Sequence, residues 1–255
     1  MEKITSRRNP LCIHIKKLGS DSSYRKSRGQ FLCDGIKLLE DAVTCGAEIC
    51  TVLAASNIPF PLPIETKVYY TDRCIIDSLS PLKNAQDILF VCKIPDETIK
   101  VTIPCGGILL DSVADPGNVG TIIRTANAFG ISCVMLTGEC ADQYNPKTVR
   151  ASMGAIFRQN TYNISMSELN DMRCNGRKFI GAMNGAGCSD ITKADLSGAI
   201  IVIGSEGCGI SAGVLSLCSE KFRIPISPEC ESLNAAVAAA IIMWEVSRTH
   251  IVKEN

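Results

Sequence analysis

Gly107-Ile108-Leu109-Leu110-Asp111-Ser112-Val113-Ala114-Asp115-Pro116-Gly117-Asn118-Val119-Gly120-Thr121-Ile122-Ile123-Arg124 is the stretch that decides the fold class. Its first five residues read as a buried strand, a short apolar run closed by an aspartate. Pro116-Gly117-Asn118 reads as a turn, and Val119 to Phe129 as a helix stopped by Gly130. Downstream the same order repeats. Strands are predicted at Cys133 to Leu136, near 160–164, at Lys178 to Ala182, at Ile200 to Ile203 and at Phe222 to Ile226. Helices are predicted near 147–153 and 167–174, and Leu233 to Ile251 forms a long closing helix. Alternation of this kind predicts an α/β fold with a mostly parallel sheet covered by helices.

Upstream, residues 31–93 read as a smaller α/β unit. Its elements are a helix from Asp34 to Cys45, strands at Ile49 to Ala54, Val68 to Tyr70 and Ile88 to Cys92, and a short helix from Asp72 to Leu79. The expected division is a first domain at 1–93, a linker at 94–105 and a second domain at 106–255. Hydrophobic residues are 46% of the 255 and charged residues 20%, the profile of a globular chain. The longest apolar run, Ala235 to Trp244, is too short to cross a bilayer, and no apolar signal core follows Met1. No membrane association is expected, and the location is read as cytoplasmic. The 14 cysteines include no Cys-x-x-Cys pair, and His14 and His250 are the only histidines. They are therefore read as reduced thiols with no metal site. The formal net charge is zero, yet residues 1–30 hold eight Lys or Arg against Glu2 and Asp21. That basic end is either a phosphate-contacting surface or a solvated helix face.

Three loops at strand ends are rich in Gly, Asn and Ser, and ligand sites in parallel sheets form at such ends. In the first, Asn118 is read as the cap of the next helix, with Arg124 near the start of that helix. Arg124 sits among Ile122, Ile123 and Ala126, so it must reach solvent, a carboxylate or a bound anion. The second is Gly204-Ser205-Glu206-Gly207-Cys208-Gly209, which has neither the dinucleotide spacing nor a P-loop lysine. Cys208 reads as a small packing residue, since the region holds no histidine to activate it. The third is Ile224-Pro225-Ile226 leading to Ser232-Leu233-Asn234, where Ser232 reads as a helix cap.

Together, Asp115 to Ala126, Gly204 to Gly207, and Ile224-Pro225 with Ser232-Leu233-Asn234 resemble motifs 1, 2 and 3 of the SpoU (TrmH) family. These are RNA ribose 2′-O-methyltransferases of the SPOUT superfamily, and the likeness spans roughly residues 106–250. Ile4 to Pro10, Tyr24-Arg25 and Gln30 to Gly35 resemble the family's accessory RNA-binding domain, a small α/β fold like that of a ribosomal protein. Two departures stand out. Asp34 replaces the family's usual Glu, and Ala236 replaces the second Ser of motif 3.

The resemblance implies a SPOUT α/β domain with a deep trefoil knot, a homodimer and S-adenosylmethionine as methyl donor. Gly204, Ile224 and Leu233 match the family's cofactor contacts. Arg124, Asn118, Glu206, Ser232 and Asn234 match its catalytic set, while Arg7, Arg8, Arg25 and Arg28 are the expected RNA contacts. An arginine guanidinium stays protonated at neutral pH and so cannot accept a proton from a hydroxyl, and Arg124 is expected to position a phosphate beside the target ribose instead. Ribosomal RNA of the 23S type is the expected substrate. The competing readings are a transfer RNA methyltransferase of the same family, a non-catalytic RNA-binding scaffold, and another α/β enzyme that uses the glycine loop for a nucleotide.

Overall fold

A computed structural model describes residues 2–95, 106–185 and 187–251. The chain forms two compact units. One combines Met1–Thr98 with Asp142–Arg158, and the other combines Ile99–Ala141 with Gln159–Asn255.

The first unit starts with β1 (Glu2–Ile4), α1 (Pro10–Ser20), α2 (Ser22–Arg28) and β2 (Gln30–Asp34). It continues through α3 (Ile36–Thr44), β3 (Ile49–Ala54), β4 (Lys67–Thr71), α4 (Arg73–Leu79) and β5 (Ile88–Lys93). Its sheet has the order β1-β4-β3-β5-β2. The pairs β1–β4 and β4–β3 are parallel, while β5 is antiparallel to both β3 and β2. The basic end is thus two helices. Asn9 caps α1 with Pro10 in its first turn, and Cys12, Ile15 and Leu18 form its buried face. The helix expected from Asp34 is displaced, because residues 30–34 are strand β2 and α3 begins at Ile36. Gly35 makes the break at φ +118°, where a Cβ would strike the Gln86 side chain.

The second unit carries β6 (Gly107–Asp111), α5 (Pro116–Ala128) and β7 (Val134–Thr137). The chain then crosses into the first unit as α6 (Pro146–Ala151) and returns. The expected single stretch 106–255 is therefore interrupted. Within the first unit, Phe31 of β2 packs against Tyr144 and Phe157, with ring centroids 4.7 and 6.2 Å apart. Of the expected linker 94–105, all but Ile94 and Pro95 lies outside the described residues.

Back in the second unit come β8 (Thr161–Asn163), α7 (Met166–Cys174), β9 (Phe179–Ala182), β10 (Ser189–Asp190) and β11 (Ile200–Gly204). The last elements are α8 (Ala212–Leu215), β12 (Glu220–Arg223) and α9 (Ala235–Ile251). The seven strands have the order β10-β12-β9-β11-β6-β7-β8, and every pairing is parallel. β11 lies between β9 and β6, both earlier in the chain. Leu109, Met135, Phe179, Ile200 and Val202 join one apolar core, as expected for strands covered on both faces. The strand expected at Phe222 to Ile226 is shifted back to 220–223, which leaves Ile224 and Pro225 in the loop that follows. Among the described residues, no helix is long and apolar enough to cross a membrane.

Candidate active site

Parallel pairing brings the carboxyl ends of β6, β11 and β9 to one sheet edge, with Gly204 opposite Asp111 and Ile203 opposite Ala182. A cleft of about 370 Å³ opens there, within the size range of small-molecule sites. Gly204, Ile224 and Leu233, the three expected cofactor residues, all line it. Ile203, Ile226 and Ile242 give it apolar walls, and among the described residues Glu206 and Glu231 are its only charged lining residues. The glycine loop closes tightly. Ser205 and Gly209 exchange backbone hydrogen bonds, and a Cβ on Gly204 would lie 2.1 Å from the Gly209 carbonyl carbon. Gly204 therefore tolerates no side chain.

Residues from all three loops meet beside this cleft. The Asn118 Nδ2 donates to Glu206 Oε1, and the Asn234 Nδ2 donates to Asn118 Oδ1 at 3.1 Å. Helix capping explains why these amides are available, and it corrects two expectations. Asp115, not Asn118, caps α5, accepting the Asn118 backbone N–H at 2.8 Å. Pro116-Gly117-Asn118 is accordingly the first turn of α5 and not a separate turn. Freed from capping, the Asn118 side chain faces the other loops. Likewise Asn234, not Ser232, occupies the cap position of α9, its Oδ1 accepting from the backbone N–H groups of Ala236 and Val237. Its Nδ2 stays free to bond Asn118. Ser232 lines the cleft instead.

Arg124 is a third correction. It lies at the ninth residue of α5, too far from the N-terminus to share that end's field. The buried face of α5 is Val119, Gly120, Ile122, Ile123 and Ala126, and Arg124 is exposed on the other side. Among the described residues it has no hydrogen-bond or ion-pair partner, so its guanidinium is available to an incoming anion.

The basic end divides. Arg7, Arg8 and Arg28 are exposed. Arg25, expected to contact RNA, is 3% exposed, and its Nε and Nη2 donate to Asp142 Oδ2 at 2.9 and 2.6 Å. Its Nη1 donates to the Leu18 carbonyl at 2.8 Å. With the guanidinium enclosed and paired, Arg25 holds the 142–158 segment and has no surface left for RNA.

Sequence reasoning missed two residues of the site. Asn184, just past β9, lines the cleft, and its Nδ2 donates to the Glu231 carbonyl at 3.0 Å. It thereby ties a fourth loop to the third. The signal was present in Met183-Asn184-Gly185, another Asn/Gly stretch at a strand end. Asp111 is buried at the end of β6 and accepts the Ser211 backbone N–H at 2.7 Å, anchoring the far end of the glycine loop. Cys208 is exposed at the cleft, and thirteen cysteines are free among the described residues. No group of three His, Cys, Asp or Glu side chains converges on one point among those residues.

Known proteins are similar to this chain in sequence and fold. The family model described as the SpoU rRNA Methylase family matches residues 107–244. The 23S rRNA (guanosine(2553)-2′-O)-methyltransferase RlmP of Bacillus subtilis is 30% identical over 251 residues, covering 96% of this chain and 99% of that protein. A solved structure of a putative RNA methyltransferase of the TrmH family from Porphyromonas gingivalis superimposes with a TM-score of 0.84 at 29% identity, covering 96% of this chain and all of that one. The SpoU methyltransferase AviRb from Streptomyces viridochromogenes, solved in complex with AdoMet, also superimposes at 0.84. Its identity is 27%, over 96% of this chain and 99% of that one.

Proposed function

The chain belongs to the SpoU rRNA methylase family, and we infer from that premise that it is an S-adenosylmethionine-dependent methyltransferase acting on a ribose 2′-hydroxyl of ribosomal RNA. The observation that carries the reading is the Asn234–Asn118–Glu206 chain of hydrogen bonds at the mouth of the cleft. It ties together one residue from each of the three motif loops.

The residues present fit the cofactor. Isoleucine walls suit the adenine ring, and Gly204 leaves backbone groups within reach. Among the described residues, the charges lining the cleft are the carboxylates of Glu206 and Glu231, which complement a cationic ligand. When bound, S-adenosylmethionine supplies an electrophilic sulfonium methyl, so the protein need only hold and orient the acceptor. Arg124 binds the phosphate beside the target ribose and fixes the sugar over the cleft. Asn118, held between Glu206 and Asn234, orients the sugar hydroxyls, and Ser232 shapes the cleft wall. Arg7, Arg8 and Arg28 hold more distant RNA through phosphate contacts.

Two further features belong to the proposal. Val237, Ile241 and Trp244 form an exposed apolar stripe along α9, with Trp244 52% exposed and its ring 5.9 Å from Phe129. A self-complementary contact between two copies would cover that stripe, and we assign it to a homodimer. The strand order, with β11 laid between β9 and β6, suits the trefoil knot that the family resemblance implies. The free thiols suit a reducing cytoplasm.

Calorimetric titration with S-adenosylhomocysteine, followed by methyl transfer to ribosomal and transfer RNA, tests the reading. Saturable binding near one per subunit and methylation of ribosomal RNA are expected. Arg124→Ala should bind the product cofactor as the wild type does and lose transfer by at least about a hundredfold, the order of effect of a lost charge-positioning group. A folded protein that binds no S-adenosylhomocysteine would instead make the chain an RNA-binding scaffold.

A further inference from the structure

Five cations of the N-terminal unit face a carboxylate among the described residues. Lys3 pairs with Asp72, Arg25 with Asp142, Arg73 with Asp77 and Asp87, Lys93 with Glu48, and Arg158 with Asp41. Lys17 at the end of α1 and Arg28 at the end of α2 do not. Among the described residues neither has an ion-pair partner. Both instead lie over one aromatic ring. The Lys17 Nζ and the Arg28 guanidinium carbon are each 5.4 Å from the centroid of Tyr24.

Tyr24 is itself fixed. Its hydroxyl bonds His14 Nδ1 at 2.9 Å, and the two rings meet edge to face with centroids 5.6 Å apart. Burial, with the Arg28 charge nearby, lowers the His14 pKa despite the Gln30 hydrogen bond. His14 thus adds no competing charge at neutral pH. The nearest acid in sequence, Asp21, is turned to the backbone, where it caps α2 by accepting the Tyr24 N–H at 3.0 Å.

The attraction of each charge to the ring is weak at an exposed site, so both stay available to phosphates. The ring also restricts two long side chains in advance, which lowers the ordering cost of binding. We infer that Lys17 and Arg28, aligned on Tyr24, form a grip for phosphates of the RNA backbone. This rests on the reading of the chain as acting on ribosomal RNA, and it adds Lys17, Tyr24 and His14 to a surface expected only from arginines.

Binding of the full-length protein to a 23S ribosomal RNA transcript, measured across a salt series, tests the grip. Each phosphate contact contributes a slope of roughly 0.7 to 0.9 in log affinity against log salt. The Lys17→Ala/Arg28→Ala double variant should flatten the slope by about 1.4 to 1.8 and bind at least about tenfold more weakly at low salt. Its affinity for S-adenosylhomocysteine, measured calorimetrically, and its thermal unfolding should match the wild type, which shows that both units are folded. Tyr24→Ala should weaken RNA binding severalfold while keeping most of the slope, because the charges remain and only their alignment is lost. Tyr24→Phe keeps the ring and should bind RNA nearly as well as the wild type. An unchanged slope and affinity in the double variant would overturn the grip and leave the substrate reading standing. A wild-type protein that binds the cofactor product but no ribosomal RNA would overturn the substrate reading, and the grip with it.

Discussion

Asp142 and Glu206 are both carboxylates fixed by partners distant in sequence, yet they serve opposite ends. Asp142 lies in the N-terminal unit and closes a buried set: Arg25 through two nitrogens, the Ser22 hydroxyl at 3.2 Å and the Tyr144 backbone N–H at 2.9 Å. Glu206 is exposed on a cleft in the C-terminal unit and, among the described residues, meets only the half-buried Asn118 amide. The first arrangement engages both carboxylate oxygens and all three guanidinium nitrogens, and so holds the chain. The second leaves capacity open and so can hold a substrate. Satisfaction of polar groups, more than residue type, separates anchor from active site in this molecule.

The largest effect on stability should come from the anchor. Asp142→Ala strands the Arg25 guanidinium at 3% exposure, and breaking a buried pair in this way costs about 3–5 kcal/mol. Thermal or urea unfolding should show that loss. Arg25→Met combined with Asp142→Leu should recover much of it, since no charge is then left buried. A loss under about 1 kcal/mol in Asp142→Ala would erase the distinction between the two carboxylates. The anchor also bears on truncation. Removing residues 1–93 would strip Phe31 from Tyr144 and Phe157, so point variants separate RNA binding from folding more cleanly.

At the cleft the pattern should reverse. Glu206→Gln and Asn118→Ala are expected to lower methyl transfer at least about tenfold while shifting stability by less than about 1 kcal/mol, as exposed polar changes do. A stability loss as large as that of Asp142→Ala would show the network to be structural.

A smaller effect is expected from Asn184. It donates to the backbone carbonyl of Glu231, so Asn184→Ala should weaken binding of S-adenosylhomocysteine about five- to tenfold, the worth of one hydrogen bond of about 1–1.4 kcal/mol. The turnover number should remain near wild type while KM for the methyl donor rises. Glu231→Ala keeps the carbonyl and therefore the bond, although it removes a cleft charge. Equal loss of turnover and affinity in Asn184→Ala would place the residue in the chemistry instead.

These contrasts also explain what could be read from sequence. The strands at 107–111 and 200–203 are short apolar runs, one leading through a short loop to a helix and the other into glycines, so their position and the loops after them were legible. The basic end was not read as α1 and α2, because its charges obscured the Cys12, Ile15 and Leu18 stripe despite the Asn9-Pro10 start. The sequence singles out Asn118 and Asn234, but which neighbour supplies each cap requires coordinates. The crossing of 142–158 into the other unit left no local signal, since α6 has the same period whichever sheet it covers. Arg25 was misread for the same reason. Its partner lies 117 residues away.

Asp34 sharpens the comparison from within the N-terminal unit, because it is more deeply buried than Asp142 yet has no ion pair among the described residues. Its carboxylate accepts from the Ser80 hydroxyl at 2.6 Å and the Gln86 backbone N–H at 2.9 Å. Burial is the dominant influence and raises its pKa, against those hydrogen bonds and the charges of Arg150 and Arg73. The folded state therefore keeps the proton to higher pH than the unfolded chain does. Between the ordinary carboxylate value near 3.8 and the raised folded value, the native state binds more protons, so the contribution of Asp34 to stability falls as pH rises. Above that window Asp34 carries an uncompensated part of its desolvation. The slope is bounded by about 1.4 kcal/mol for each pH unit between the two values, and partial compensation keeps the total small. Asp34→Asn removes the titration while its Oδ1 can still accept from Gln86. Urea midpoints of the wild type and Asp34→Asn across the acid range should show a wild-type advantage that is greatest at low pH and declines toward neutrality. A difference that stays flat, or grows with pH, would mean that Ser80 and Gln86 stabilise the charged carboxylate as fully as Arg25 stabilises Asp142, and burial alone would no longer distinguish the two acids.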